Sequence, residues 1–254
     1  MSKIVQFPKR ADGAKWFDIK NATEDSADVF IYDIVGDSWI GTDAGTFVKQ
    51  LNALKTKKIN LRINSPGGSV FDGMAIYNAL ARHSAEVTSY IDGLAASIAS
   101  VIALAGKKVV IAENAMMMIH NPWSYAAGNS DELRKVADVL DQIKETIINT
   151  YATRTGLKRD EIAKMMDEET WFTAEEAIMK KFADESVEGV KAAAQFDLSI
   201  FGYAKAPTSG NGQSTEQTAA TASIEATISA TTPETISPPA RLKRRQALIE
   251  KLNK

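Results

Sequence analysis

Apolar positions in the first 200 residues keep changing period. The runs VFIYDIV (29–35) and INLRIN (59–64) are rich in β-branched and aromatic residues and read as strands, with a helical TFVKQLNALKT between them. A helix around Asp72–Arg82 follows, then a strand at VTSYI (87–91) and an Ala-rich helix from about Ser97 to Ala105. Two further apolar runs, VVIA (109–112) and MMMIH (116–120), are strand-like. Strands alternating with helices predict an α/β fold whose sheet is largely parallel and buried.

From Ser130 the spacing predicts a long helix, 130–151. Leu133, Val136, Leu140, Ile143 and Ile147 recur at steps of three and four and share a face, while Asp131, Lys135, Asp138 and Lys144 lie opposite. Such a stripe either packs on its own core or docks on another subunit. After Gly156 a shorter helix reaches Met166, and Thr173-Ala-Glu-Glu176 has capping-box spacing, so a last helix begins there.

Near residue 204 the composition shifts to Ser, Thr, Ala, Gly and Pro, leaving little to bury against the entropy of ordering. The expected organisation is a domain over 1–203, a flexible, disordered linker over 204–240 and a short basic helix over 241–254. That tail, RLKRRQALIEKLNK, carries six Lys/Arg against one Glu.

The chain has 254 residues, 44% hydrophobic and 24% charged, enough for a sizeable core without staples. A net charge of −2 gives no electrostatic reason to expect nucleic acid or an anionic membrane. With no cysteine and only two histidines, thiol chemistry is excluded and neither a metal nor another cofactor is expected. The stretch from Gly93 to Gly106 is shorter than the about 20 residues that cross a bilayer, and MSKIVQFPKR has no apolar signal region. A soluble, cytoplasmic protein is the expectation.

Scarcity makes histidine informative. His83 ends a helical pattern, where the dipole favours it, and reads as a surface residue at a turn. His120 closes an apolar run before Asn121-Pro122, at a strand end where catalytic side chains are commonly displayed. In INSPGGSV (63–70) a strand stops before Gly67-Gly68, a pair that can turn backbone N–H groups outward as an oxyanion hole requires. The alternative is a plain turn before a helix, the more frequent fate of a Pro-Gly-Gly sequence. In DGLAASIAS (92–100), Ser97 opens a helix after a strand, suited to a nucleophile near helix-terminal amides or to a simple N-cap. This is not the Gly-x-Ser-x-Gly elbow of the α/β-hydrolases.

INSPGGSVFDGMAIYNAL, DGLAASIAS, AMMMIHNP and WFTAEEAIMKKFAD stand in the order and spacing of the Clp protease proteolytic subunit. Over residues 25–190 the chain resembles that family, and especially its phage and prophage branch. The resemblance implies a crotonase-like fold of stacked parallel β-α units and a serine endopeptidase with Ser97 as nucleophile and His120 as base. It also implies an oxyanion hole from the amides of Gly68 and Ile98, with Gly67 and Asn121 near the substrate. The third member matches Glu169, where the family usually has Asp; Asp167 is the runner-up, and either can be a solvated charge.

The resemblance further implies homo-oligomeric rings joined through the long helix, with a protein or peptide substrate. The partner is either a Clp ATPase or phage capsid and scaffold proteins inside a prohead. The chain has no nucleotide-binding Gly-x4-Gly-Lys-Ser/Thr loop, and its N-terminal region does not match the axial-loop segment that docks an ATPase. Two alternatives are a catalytically impaired capsid-assembly protein on the same fold and an acyl-CoA enzyme of the crotonase fold.

Overall fold

The computed structural model describes residues 16–36, 44–189, 196 and 198–207. Most of the expected linker and all of the basic tail lie outside these residues. Within the described residues, eight strands form one sheet: β1 (Phe17–Lys20), β2 (Ser26–Ile31), β3 (Lys58–Ser65), β4 (Glu86–Ala96), β5 (Lys108–Ala112), β6 (Met116–Ile119), β7 (Thr170–Thr173) and β8 (Glu185–Val187). The order β1-β2-β3-β4-β5-β8 is parallel from β2 onward, with β1 antiparallel at one edge. Among the described residues, six α-helices accompany the strands: α1 (Ala44–Ala53), α2 (Val70–Ala81), α3 (Ile98–Ala103), α4 (Ser130–Thr155), α5 (Arg159–Asp167) and α6 (Ala174–Met179).

Alternation decides which sheet face is covered. Val29, Ile31, Ile59, Leu61, Ile63, Val87 and Ile91 are buried and share a core with Ile76 and Leu80 of α2 and Ile98, Val101 and Ile102 of α3. The other face carries Asp28, Phe30, Asn60, Arg62, Thr88 and Tyr90, all partly exposed. The sheet is therefore covered fully on one face only, and its strands alternate where a doubly covered sheet would read as continuous apolar runs. Among the described residues, no helix is long and apolar enough to cross a membrane.

Strand β4 changes partner along its length. Thr88–Ile91 pair with β5, whereas Leu94–Ala96 pair in parallel with Met116–Met118 of β6. Strand β6 in turn pairs antiparallel with β7. This fork carries the candidate site.

Helix α4 is four residues longer than its predicted end at 151. Asn129 caps it with a full capping box, and Gly156 ends it in the left-handed conformation (φ 71°). Its apolar stripe splits in two. Ile147, Ile148 and Tyr151 are buried in the core, while Leu133 and Val139 are 43% and 48% exposed. The capping box expected at Thr173 is present and starts α6.

Candidate active site

Register alone gathers the candidate residues. Ala96 of β4 stands beside Met118 of β6, so Ser97 and His120 emerge together just past the strand ends. Ile119 of β6 is opposite Thr170 of β7, which puts Glu169 across from His120. Ser65 of β3 pairs with Ala95, so Pro66-Gly67-Gly68 leaves the sheet at the same edge.

Ser97 adopts φ 54°, ψ −129°, a region that costs a non-glycine residue about 1–3 kcal/mol and persists only where its surroundings enforce it. The enforcement is visible. Its N–H donates to the Met118 carbonyl at 2.9 Å, and its own carbonyl accepts from the Ser100 N–H at 3.0 Å and from Ser100 Oγ at 2.5 Å. Ser100 Oγ lies 2.7 Å from the Tyr151 hydroxyl. Because the single Ser100 hydroxyl proton is committed to the Ser97 carbonyl, Tyr151 is the donor to Ser100. A buried hydroxyl chain thus runs from α4 to the strained turn. Burial pushes the Tyr151 phenol far above its ordinary pKa, so it remains a donor.

Ser97 stands at the N-cap of α3, yet its side chain makes no capping hydrogen bond. The hydroxyl instead meets His120 Nε2 at 2.8 Å. Burial lowers the His120 pKa and the nearby Glu169 charge partly opposes this, leaving a neutral ring able to take a proton at neutral pH.

Gly67 (φ 98°) and Gly68 (φ 151°) both lie where a side chain is strained. A Cβ on Gly67 would sit 2.7 Å from the Cβ of Ser97, and one on Gly68 would sit 2.1 Å from the Val35 carbonyl oxygen. The turn is locked by Val35, whose N–H donates to the Gly67 carbonyl at 2.7 Å and whose carbonyl accepts from the Ser69 N–H at 2.9 Å. The Gly67 N–H is spent on Ser65 Oγ at 3.1 Å, and that hydroxyl donates to the Asp33 carbonyl at 2.6 Å. Gly67 is therefore a close-packed turn residue without a free amide. Among the described residues no acceptor meets the N–H of Gly68 or of Ile98, the first residue of α3.

The two acidic candidates have different company. Asp167 accepts from Lys144 Nζ at 2.5 Å and Asn121 Nδ2 at 2.8 Å, first and second among the bonds that lower its pKa. Asn121 is thereby tied to Asp167, and its Oδ1 is buried with no partner among the described residues. Glu169 (φ 49°) is the carboxylate whose charge reaches His120. Its oxygens, however, accept from Trp171 Nε1 at 3.0 Å and from the backbone N–H groups of Ala204 and Lys205 at 2.7 Å each. Among the described residues, no hydrogen bond joins either carboxylate to the imidazole.

His83 is a structural residue: its Nδ1 accepts from the Ala85 N–H at 3.0 Å, and Nε2 lies 3.2 Å from the Leu51 carbonyl oxygen. Beside Gly68 a cleft of about 280 Å³ opens between Phe71, Trp123 and the Val139, Leu140 and Ile143 stretch of α4.

The family model for Clp protease matches residues 11–189, most of the chain. The chain belongs to the Clp protease family. Among similar Clp proteins is the ATP-dependent Clp protease proteolytic subunit 2 of Thermobifida fusca (strain YX), 36% identical over 134 residues, 52% of this chain and 66% of that protein. The subunit of the same name from Tropheryma whipplei (strain Twist) is 36% identical over 137 residues, 53% of this chain and 76% of the relative. The ATP-dependent Clp protease proteolytic subunit of Pleurastrum terricola is 30% identical over 166 residues, covering 65% and 85% of the two chains. The mixed sheet with its accompanying helices is consistent with the Clp protease fold.

Sequence reasoning missed the contributions of Ser65, Ser100, Tyr151 and Tyr203. Tyr203 sets its ring edge-on to His120, centroids 5.3 Å apart, and donates its phenol proton to the Pro66 carbonyl. The available signal was the aromatic pair Phe201 and Tyr203, standing just ahead of a long stretch poor in large side chains.

Proposed function

We propose that this Clp-family chain is a serine endopeptidase with Ser97 as nucleophile and His120 as general base. The observation that carries the reading is the 2.8 Å contact between Ser97 Oγ and a neutral, largely desolvated imidazole, beside the unpaired amides of Gly68 and Ile98. His120 takes the Ser97 proton as Oγ bonds to the peptide carbonyl carbon. The carbonyl oxygen becomes an oxyanion held by the two amides. The C–N bond then breaks, His120 returns the proton to the leaving amine, and water releases the acyl group by the same steps. Glu169 orients the imidazole in this scheme. Asp167, bound to Lys144 and Asn121, supports the loop beside it.

The relatives' names describe ATP-dependent proteolytic subunits. We extend to this chain a homo-oligomeric ring, in which the uncovered half of α4 docks on a second copy, with an unfolded polypeptide as substrate. The cleft beside Gly68 suits an apolar side chain of that substrate. A separate ATPase would have to deliver folded substrates. In the phage-type setting that the sequence resembles, the substrate is capsid or scaffold protein within a prohead in the host cytoplasm, and the segment beyond residue 204 tethers the domain.

The test is incubation with a disordered model protein, alongside labelling by a fluorophosphonate. Ser97→Ala should lose labelling altogether and cleavage by about 10⁴-fold or more. Cleavage that survives the substitution would remove Ser97 from the mechanism. Absence of both activities in the unaltered chain would favour a catalytically silent assembly role or acyl-CoA chemistry on the same fold.

A further inference from the structure

Residues 201–205 run across the candidate site. The Tyr203 phenol donates to the carbonyl of Pro66, the residue that leads into Gly67-Gly68. Its ring lies edge-on to His120 and Trp171 and stacks on Phe201 at 5.8 Å and 15°. The next two residues give both backbone N–H groups to the Glu169 carboxylate, one to each oxygen. The Ser97 hydroxyl is close enough to bias the phenol's titration, although burial and the Glu169 charge dominate and push that pKa far above its ordinary value.

We propose that this segment is a resident ligand of the active site, which holds the peptidase latent until an incoming polypeptide displaces it. The proposal rests on the peptidase reading above. Tyr203 fills the space in front of Ser97 and His120 where a substrate chain must lie. The amides of Ala204 and Lys205 satisfy the carboxylate that would otherwise orient the imidazole. A strap serving stability alone has no need to contact the base and to saturate the acid. The contacts also define the displacing ligand: an extended chain presenting an aromatic side chain with a polar tip, followed by two free backbone amides. A carboxylate paired with successive amides is a recognition device, stronger than neutral hydrogen bonds and available to any peptide that lies in the same direction.

The test compares the full-length chain with Tyr203→Ala and Tyr203→Phe, reading hydrogen exchange at the Ala204 and Lys205 amides and the rate of fluorophosphonate labelling of Ser97. In the unaltered chain both amides should be protected and labelling slow. Tyr203→Ala should free the amides and speed labelling about tenfold, the effect of losing one partly buried hydrogen bond with its ring contacts. Tyr203→Phe, which keeps the ring, should fall between. Freely exchanging amides in the unaltered chain would overturn the proposal. So would labelling that is unchanged or slower once protection is lost, which would make Tyr203 a support of the site. If neither chain labels, the peptidase reading falls and the latch falls with it, while protected amides would mark the segment as a structural strap.

Discussion

The hydroxyl chain from Tyr151 through Ser100 to the Ser97 carbonyl predicts that stability and reactivity respond differently to the same substitutions. Ser100→Ala removes the 2.5 Å bond that holds the strained turn and strands the Tyr151 hydroxyl in a fully buried position. The lost bond is worth about 1 kcal/mol and the orphaned hydroxyl costs about 1–3 kcal/mol more, so the expected loss is about 2–4 kcal/mol. Tyr151→Phe leaves Ser100 still donating to Ser97 and removes only an incoming donor, at about 0.5–1.5 kcal/mol. In the double variant no hydroxyl is stranded, so its stability loss should fall short of the sum of the two single losses by about 1 kcal/mol or more. Urea denaturation with an unchanged m-value measures the three differences. Fluorophosphonate labelling follows the turn itself. It should be slowed by Ser100→Ala and should not recover in the double variant, because the carbonyl of Ser97 is then held by one donor in place of two. Strict additivity of the stability losses would refute the hydroxyl chain. Undiminished labelling in Ser100→Ala would refute its role in positioning Ser97.

Four further outcomes follow from the site. Because burial holds the His120 pKa below 6.5, the acid limb of kcat/KM should lie below the range of a free histidine, with activity lost only as pH falls through that lowered value; Glu169→Gln removes the opposing charge and should move the limb further toward acid. The unfolded chain binds the His120 proton more readily, so this residue's contribution to stability should be full above about pH 6.5 and decline below it, as acid titration by circular dichroism would register. Gly68→Ala should lower kcat about 10²-fold or more while KM changes little, since a Cβ there collides with Val35 and re-aims the amide proposed to meet the oxyanion; steady-state kinetics showing a change confined to KM would contradict that assignment. Asp167→Asn should keep kcat/KM within a few-fold of the unaltered chain, whereas a loss matching that of Glu169→Gln would reverse the two carboxylates.

The helical and parallel parts of the fold were legible because their apolar periods are strong, as in Ile59, Leu61 and Ile63 of β3 or Ile147 and Tyr151 of α4. The short strands β1, β7 and β8 were not. Each has three or four residues, too few to express a period, and β7 is defined by its pairing to Met116–Ile119. Ser97 and His120 stood out through residue type and neighbouring motifs. Glu169 and Asp167 belong to one acidic run, and which of them lies across from His120 emerges only from the register of β6 and β7. Tyr203 was hidden for a related reason. Its meaning comes from Pro66 and His120, which are remote in sequence and adjacent only after folding.

Strands β6 and β7 are hydrogen-bonded neighbours, so the whole excursion through α4 and α5 departs from and returns to one spot on the sheet. Its length, tilt and surface can drift without changing the separation of the imidazole from the acid that faces it, because four ladder pairs set that separation. Slippage of a single rung would do what no remodelling of the excursion can: it would turn the acid to the wrong side of the sheet. The fold thus leaves its helical excursion free to adapt to whatever it meets, while the candidate site stays under the strict control of strand pairing.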